Sequence, residues 1–345
     1  MSLKSSPVRR TVTTLAAASA ALTLLAACGG GDDSTAGGGS GSSAIAAVIK
    51  GLDNPFFQAM ENGINDQATE LGADVNVQAA QSITDTTGQA DRLTALAQQE
   101  FGCYVVNPIS GSNLVQGLAQ IARQDVPIVN IDSPVDADAA AEAGAEIATY
   151  IGTDNSDAGA QAGQQMIDAV GSGQVAVIGG IAGDVTSGAR VDGFTGAVDG
   201  TLDVVQTVAA DWERQRALTA ATDILAANPD LVGFFAANDD MGLGIARAVA
   251  NAGRTGQVAV ISVDGNEEAL QAVADGQLTA TVAQYPYAIG QMGVEACVAA
   301  TQGAELPAEV TAPVAVVTAD NATDALAAFP APFQDFEDPL ADLVE

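Results

Sequence analysis

Short apolar runs alternate with helical patterns along most of this 345-residue sequence. The apolar runs lie at residues 45–49, 75–78, 103–106, 127–131, 149–152, 174–178, 204–208, 231–236, 258–263 and 278–283. Helical patterns lie between most of them, at residues 56–71, 89–99, 113–123, 158–170, 191–198, 216–227, 242–251 and 267–274. Parallel strands need crossover connections, usually helices, and this many strands exceed one small sheet. The alternation therefore predicts an α/β fold of two doubly wound parallel-sheet domains, with the main boundary near Thr153.

Polar side chains follow several of these strands where each strand ends. They are Asp53-Asn54, Asn107-Pro108, Asp132-Ser133, Asn238-Asp239 and Asp264. A single Asn or Asp at such a place is usually a turn or helix-cap residue. Because the carboxyl ends of parallel strands face one crevice, their repetition favours a ligand site there.

Aromatic residues are scarce, at 4% of the sequence, so those in polar surroundings are candidates for a site. Phe56 and Phe57 follow the polar end of the first strand, and Trp212, the one tryptophan, stands in a polar segment. Carboxylates, amides and rings together suit a polyhydroxylated molecule, whose hydroxyls need partners and whose C–H faces need apolar cover. The alternative is that one of the two phenylalanines belongs to the core.

The N-terminus has the features of a secretory signal. Lys4, Arg9 and Arg10 precede an apolar stretch of roughly 16 residues, too short to span a membrane, which ends at Leu25-Ala26-Ala27-Cys28. This ending resembles the lipobox of bacterial lipoproteins, which implies that Cys28 is the lipid attachment site. We therefore expect a signal peptide over residues 1–27, a flexible tether over 28–43, and an extracytoplasmic protein anchored to the cell membrane by lipid.

Charge and composition exclude several classes of function. The net charge of −32 makes nucleic-acid binding untenable. The absence of histidine removes the usual general base and the commonest transition-metal ligand, so we expect no enzyme, no metal and no cofactor. Beyond Cys28 only Cys103 and Cys297 remain, and we expect two buried thiols, with a disulfide as the less favoured alternative.

Other motifs carry little weight. Gly179, Gly180, Gly183 and Gly188 lack the lysine and spacing of a phosphate loop. The acidic residues at 154–157 are explained by helix capping and lack the spacing of a calcium loop. Adjacent Asp239 and Asp240 point in different directions after a strand, which argues against a catalytic pair.

Several stretches together resemble one family over residues 43–317. They are DNPFFQAMENGINDQATELG, VVNPISGSNL, VPIVNID, GIAGDVTSGARVDGF, FFAANDDMGLGIARAVANAG, VDGNEEALQAVADGQLTATVAQYP and IGQMGVEA. In content and order they resemble the type I periplasmic sugar-binding proteins, and most closely those that bind ribose. The resemblance implies two lobes joined by a three-segment hinge that clamp one monosaccharide. The first lobe would comprise residues 44–153 plus 285–312, the second 154–284 plus 313–325, and 326–345 would form an irregular acidic tail to which we assign no function.

The resemblance also implies the ligand-binding residues. In the first lobe Asn54 would bind a ring hydroxyl, Phe56 and Phe57 would pack on the sugar, and Asn107 and Asp132 would complete the wall. In the second lobe Arg190 would donate to hydroxyls, Trp212 would stack on the ring, and Asn238, Asp264 and Gln284 would bind further hydroxyls. Ser133 stands where the ribose-binding proteins commonly have arginine. This loss of a donor argues against ribose and leaves another pentose, a hexose or a sugar alcohol.

The resulting hypothesis is a monomeric solute-binding lipoprotein that delivers a monosaccharide or polyol to the permease of an ABC importer. One alternative is a binding protein that presents its ligand to a membrane sensor kinase or chemoreceptor. A sugar-responsive repressor would need a DNA-binding helix pair and a basic face, which the sequence lacks.

Overall fold

A computed structural model describes residues 44–344. The predicted signal peptide, Cys28 and the tether therefore lie outside the described residues. The elements follow one another as β1 (Ile45–Ile49), α1 (Pro55–Leu71), β2 (Val75–Ala79), α2 (Thr86–Leu96), β3 (Cys103–Val106), α3 (Val115–Ala122), β4 (Ile128–Ile131), α4 (Ala137–Ala143), β5 (Thr149–Thr153), α5 (Asn155–Val170), β6 (Gly173–Gly179), α6 (Val185–Val198), β7 (Leu202–Ala209), α7 (Arg214–Ala227), β8 (Leu231–Ala236), α8 (Asp239–Asn251), β9 (Ala259–Asp264), α9 (Glu267–Ala274), β10 (Ala280–Gln284), α10 (Pro286–Thr301), β11 (Glu309–Ala312), β12 (Val314–Thr318), α11 (Ala322–Ala328) and a 3₁₀ helix at Ala341–Leu343.

The strands form two six-stranded sheets with matching strand orders. The first sheet runs β11-β5-β4-β3-β1-β2 and the second β12-β10-β9-β8-β6-β7. All described pairings are parallel except that of β12 with β10. We call the first sheet with its helices lobe 1 and the second with its helices lobe 2.

Each sheet is covered by helices on both faces, so its central strands are almost entirely buried. In lobe 1, α1 and α10 pack on one face, and α2, α3 and α4 on the other. In lobe 2, α5 and α6 cover one face, and α7, α8 and α9 the other. This double cover explains why β1 is buried along its whole length and shows no alternation of polar and apolar residues.

Up to β12 the described chain passes between the lobes three times: between β5 and α5, between β10 and α10, and between β11 and β12. The fold is therefore a pair of mostly parallel α/β domains, and the predicted fold class is confirmed. Helix α11 runs to residue 328, past the predicted end of the second lobe at residue 325.

Several helices begin earlier than the apolar periodicity predicts, because a capping side chain sets their first turn. Asp184 caps α6 by accepting from the Ser187 amide, so the helix starts at Val185, whereas the periodicity predicted residue 191. Asp154 caps α5 in the same way through the Asp157 amide.

The expectation of two free thiols is wrong, because Cys103 and Cys297 form a disulfide with a Cα–Cα distance of 5.6 Å. The two cysteines are 194 residues apart in sequence. They meet because α10, after the second crossing, returns to lobe 1 and packs against β3 and β4.

The C-terminal segment after α11, which we call the tail, packs on both lobes. Phe329 and Phe333 lie against the core of lobe 2, whereas Leu340 is fully buried in the core of lobe 1. Phe336 contacts both cores. The segment predicted to be an irregular extension is therefore part of the packed structure.

Among residues 44–344, none of the helices combines the length and apolarity needed to cross a bilayer.

Candidate functional site

A cavity lies between the lobes at the carboxyl ends of the parallel strands, and both lobes line it. Its lining from lobe 1 includes Lys50, Asn54, Phe56, Phe57, Ile83, Ile109, Asp132 and Ser133; that from lobe 2 includes Ile181, Asp184, Thr186, Arg190, Trp212, Asn238 and Asp264. The structure thus brings together every predicted ligand-binding residue except Asn107 and Gln284.

The wall of lobe 1 is built on Asp132, the residue that follows β4. Asp132 has a left-handed φ of 60° and only a small part of its side chain is exposed. Lys50, directly after β1, places its Nζ 3.5 Å from Asp132 Oδ2 and donates a hydrogen bond of 2.6 Å to Ser133 Oγ. The same ammonium lies 5.3 Å from the centroid of the Phe57 ring. A carboxylate, a cation and an aromatic face therefore form one unit in this wall.

Lys50 is the functional candidate that sequence reasoning missed. It stands beside Ser133, so a cation is present where the loss of arginine had suggested none. The signal was available, because Lys4 and Lys50 are the only lysines in the sequence and Lys4 belongs to the predicted leader. A lone lysine at a strand end, three residues before Asp53, is the pattern that marks Lys50 as a candidate.

The wall of lobe 2 has the same composition around Asp264, the last residue of β9. Arg190, on α6, donates from Nη1 to Asp264 Oδ1 (3.0 Å) and to the Ala237 carbonyl (2.7 Å), and from Nε to Asn155 Oδ1 (2.8 Å). Only 5% of each side chain of the Arg190–Asp264 pair is exposed. The guanidinium carbon lies 5.9 Å from the centroid of the Trp212 ring. Strands β4 and β9 occupy the same position in their sheets, so the two walls repeat one design.

Trp212 is held by an unusual local backbone. Asp211 and Trp212 both have positive φ, 54° and 65°, a conformation uncommon for residues other than glycine. A Cβ at Gly180 would collide with the indole, so the glycine after β6 is what lets the ring lie against the backbone. Strain of this kind in an aromatic that lines a cavity is typical of a ligand site.

Asn54 and Asn238 each cap a helix with the side-chain oxygen and can bind a ligand with the side-chain nitrogen. The Asn54 side-chain oxygen accepts from the Phe56 amide and caps α1, and the Asn238 oxygen accepts from the Met241 amide and caps α8. Both residues also line the cavity, so their amide nitrogens remain as donors for a ligand.

Phe56 and Phe57 both line the cavity, and both also belong to the core of lobe 1. Their rings meet edge to face with centroids 5.1 Å apart. The cavity therefore has an aromatic corner on the side of lobe 1 that is fixed by packing.

The two remaining predicted residues lie behind the cavity walls. Asn107 is fully buried after β3, and its Nδ2 donates to Met60 Sδ at 3.4 Å. Gln284, at the end of β10, donates from Nε2 to Asp264 Oδ1 at 2.7 Å. Gln284 therefore reaches the site through Asp264, and Asn107 packs between the first strands and α1.

Burial raises the pKa of the Asp264 carboxyl above its ordinary value. Arg190 opposes this shift, whereas the negative charges of Asp239 and, across the cleft, Asp132 add to it. The two strand-end carboxylates thus repel each other across the cavity, and a ligand that donates hydroxyl groups to both would relieve that repulsion.

The donors and acceptors of this cavity suit an uncharged polyhydroxylated ligand. Lys50 neutralises Asp132 and Arg190 neutralises Asp264, while Asp184 caps α6. The lining from Ile83, Ile109 and Ile181 adds apolar surface that sequence reasoning had not identified. Within the described part of the chain, no group of three or more Asp, Glu, His or Cys side chains is arranged to hold a metal ion.

Comparison with known proteins identifies relatives of the whole two-lobed unit. Residues 45–305 match the family described as periplasmic binding protein domain. The chain is 38% identical to the D-allose-binding periplasmic protein of Escherichia coli (strain K12) over 265 residues, 76% of this chain and 85% of that protein. It is 32% identical to the ribose import binding protein RbsB of Bacillus subtilis (strain 168) over 275 residues, 79% of this chain and 87% of that protein.

Among solved structures, it resembles an ABC transporter periplasmic solute binding protein from Actinobacillus succinogenes 130z with bound D-allose. The TM-score is 0.78 at 29% identity, and the match covers 82% of this chain and all of the other.

Proposed function

This chain belongs to the periplasmic binding protein domain family, a family of binding proteins, and from this premise we propose that it captures a neutral monosaccharide or sugar alcohol between its two lobes for an ABC importer. The observation that carries the proposal is the pair of facing walls, each with a carboxylate, a cation and an aromatic ring. Neutral hydroxyl groups can donate to Asp132 and Asp264 and accept from Lys50 and Arg190, while the rings cover C–H faces.

The ligand would hold the lobes together through contacts that exist only when both walls touch it. A ligand shifts a conformational equilibrium only by its differential affinity for the two states. Hydroxyls shared between Asp132 and Asp264 supply this difference, because they also remove the repulsion between the two carboxylates across the cleft.

A hexose is our first candidate ligand. Ser133 carries a short side chain, and Lys50 supplies the neighbouring positive charge from β1. The relatives whose names or titles print D-allose support beginning with that sugar. Ribose is the second candidate, because Lys50 places a cation beside Ser133 and removes the objection to ribose, and because a 32% identical relative is a ribose import binding protein.

Thermal unfolding of the purified protein against aldopentoses, aldohexoses, ketohexoses and sugar alcohols tests this proposal. A ligand at about 100 times its dissociation constant stabilises the folded protein by about 2.7 kcal/mol, which gives a clear rise in midpoint. We expect one compound to raise the midpoint, and Trp212→Ala and Arg190→Ala to abolish the rise. Arg247→Ala is the matched control, because Arg247 is exposed on α8 and does not line the cavity. A panel without any shift would overturn the proposed ligand class.

We further propose that Cys28 carries lipid and that residues 28–43 tether the lobes to the membrane. The lipobox resemblance supports this. Metabolic labelling with a fatty acid tests it, since label should enter the wild-type protein and be absent from Cys28→Ala. Equal labelling of both proteins would contradict the assignment.

The permease would contact the surfaces of the two lobes, whose relative position changes on closure.

A further inference from the structure

Asp239 is a fully buried carboxylate next to Asn238, which lines the cavity. It is not among the predicted ligand-binding residues. It is the first residue of α8 and follows Asn238, the helix cap. Its Oδ1 accepts from Ser262 Oγ at 2.6 Å and from Thr281 Oγ1 at 2.7 Å, and its Oδ2 accepts from the Asn266 amide at 2.7 Å. These donors belong to β9, β10 and the turn after β9. One side chain therefore joins β9, β10 and the turn after β9 in lobe 2.

The turn that Asp239 holds is the one that presents Asp264. Asp264 and Gly265 have positive φ values of 139° and 77°, and a Cβ at Gly265 would collide with Ala283 of β10. Such a backbone persists only where its surroundings fix it. The bond from the Asn266 amide to the Asp239 carboxylate supplies that constraint on the turn.

We propose that Asp239 is a positioning residue for ligand binding: its carboxylate fixes the turn that aims Asp264 at the ligand, and its negative charge beside Asp264 sets the pH range over which the site accepts hydroxyl groups. This inference rests on the proposed sugar-binding function. Asp239 acts through Asp264 and does not itself contact the ligand.

The charges around the pair determine the sign of the pH effect. Asp264 faces Arg190 of α6, Asp239 of α8 and, across the cleft, Asp132. On the outer side, Asp239 borders a second cavity whose other charged lining residues are Arg214, Asp240, Glu267 and Glu268. Burial and the Asp239 charge both raise the pKa of Asp264. Ligand affinity should therefore fall as the pH drops through that raised pKa, because a protonated carboxyl loses charge-assisted acceptance.

Two substitutions separate positioning from a merely structural role. Asp239→Ala leaves the turn without its acceptor, and we expect affinity to fall about tenfold or more at pH 9. Asp239→Asn keeps one oxygen for the Asn266 amide and should restore most of the affinity. Because Asp239→Asn removes the like charge, it should also move the acidic loss of affinity to lower pH. Asp240→Asn is the matched control, because the Asp240 carboxylate is adjacent in sequence, pairs with Arg214 and is partly exposed.

The measurement is the dissociation constant from titration calorimetry between pH 5 and 9, with the sugar that raises the unfolding midpoint of the wild-type protein. The proposal is overturned if Asp239→Ala and Asp240→Asn bind within twofold of each other at pH 9, or if the Asp239→Asn profile superimposes on that of the wild type. If Asp239→Ala does not fold, the Asp239→Asn profile decides alone. Failure of the wild type to bind any sugar would instead refute the proposed function.

Discussion

At the scale of single residues, the cavity depends on two carboxylates that are each paired with a cation of the protein and can still accept hydrogen bonds from a ligand. Lys50 touches Asp132 and Ser133, and Arg190 touches Asp264, yet each carboxylate keeps lone pairs that face the cavity. This arrangement fixes the acceptors before the ligand arrives, which lowers the cost of ordering them on binding.

Lys50→Met should weaken ligand binding by about tenfold or more. The substitution retains much of the side-chain volume but leaves the Asp132 carboxylate, 11% exposed, without its cation. Titration calorimetry with the identified sugar measures the loss. Arg123→Met is the control, because that arginine is exposed at the C-terminal end of α3 and does not line the cavity. Equal affinities for Lys50→Met and wild type would remove Lys50 from the site.

Gly180→Ala should displace the Trp212 ring and reduce affinity by about tenfold. The added methyl group would occupy space filled by the indole, so the ring has to rotate or shift out of its present position. Trp212 is the one tryptophan, so intrinsic fluorescence and its change on ligand addition report directly on this ring. Gly196→Ala, in open space on α6, is the control and should leave both signals unchanged. A normal emission spectrum for Gly180→Ala would show that the ring tolerates the methyl group.

The sequence predicts a cavity-lining residue correctly where a short polar side chain stands at the end of a strand. Asp132, Asn238 and Asp264 follow from that rule, because strand direction alone places them at the cavity. The rule fails for Asn107, whose side chain turns behind α1 to Met60. It also misses Lys50, because its long side chain extends from the end of β1 past β3 to the end of β4, a contact that sequence spacing does not reveal.

At the scale of secondary-structure elements, α10 connects the hinge to lobe 1 in two ways. It packs against α1 through close backbone approaches, since a Cβ at Gly63 or Gly290 would meet the backbone of the facing helix. It is also joined to β3 by the disulfide between Cys103 and Cys297. Periodicity predicted the alternating strands and helices well, but it could not show this pairing, which depends on the second crossing.

Replacing both Cys103 and Cys297 with serine should lower the free energy of unfolding by about 2 to 5 kcal/mol. The disulfide closes a loop with a sequence separation of 194 residues, and long loops gain most in the chain-entropy account. Denaturant unfolding of the oxidised wild type against the double variant measures the difference. Wild type treated with a reductant should match the double variant. A wild-type unfolding midpoint that does not change with reductant would argue against the Cys103–Cys297 disulfide.

Glu295 on α10 makes the contact with the tail sensitive to pH. Burial, followed by the nearby Asp338 and Glu70 carboxylates, raises the pKa of Glu295 to about 8. Because the folded protein then holds a proton that the unfolded chain loses near pH 4.5, stability should fall as pH rises from about 4.5 to about 8. Glu295→Gln should therefore be more stable than wild type at pH 9 by at least about 1 kcal/mol and nearly equal at pH 5.

Thermal unfolding of the Glu295→Gln variant at pH 5 and pH 9 measures this effect. Glu337→Gln, in an exposed part of the tail, is the control for removing one negative charge. A gain in stability that is the same at both pH values would mean that Glu295 is ionised across the range.

At the scale of the whole molecule, the tail adds a packed connection to the three crossings between the lobes. Phe336 contacts the apolar cores of both lobes, whereas Phe333 contacts that of lobe 2. The sequence showed only scattered prolines and acidic residues here, and nothing in a local pattern reveals an aromatic that bridges two cores. Any motion that separates the lobes has to break one side of the Phe336 contact.

Phe336→Ala should weaken ligand binding by several-fold, because the phenyl ring stabilises the arrangement in which both lobes line the cavity. Phe333→Ala should lower the unfolding midpoint but leave affinity within about twofold, since its contacts stay within one lobe. Calorimetric titration gives the affinities, and small-angle scattering of the unliganded proteins should show a larger radius of gyration for Phe336→Ala alone. If both variants lose affinity equally, the tail acts through the stability of lobe 2, and the energy of closure resides in the cleft and the three crossings.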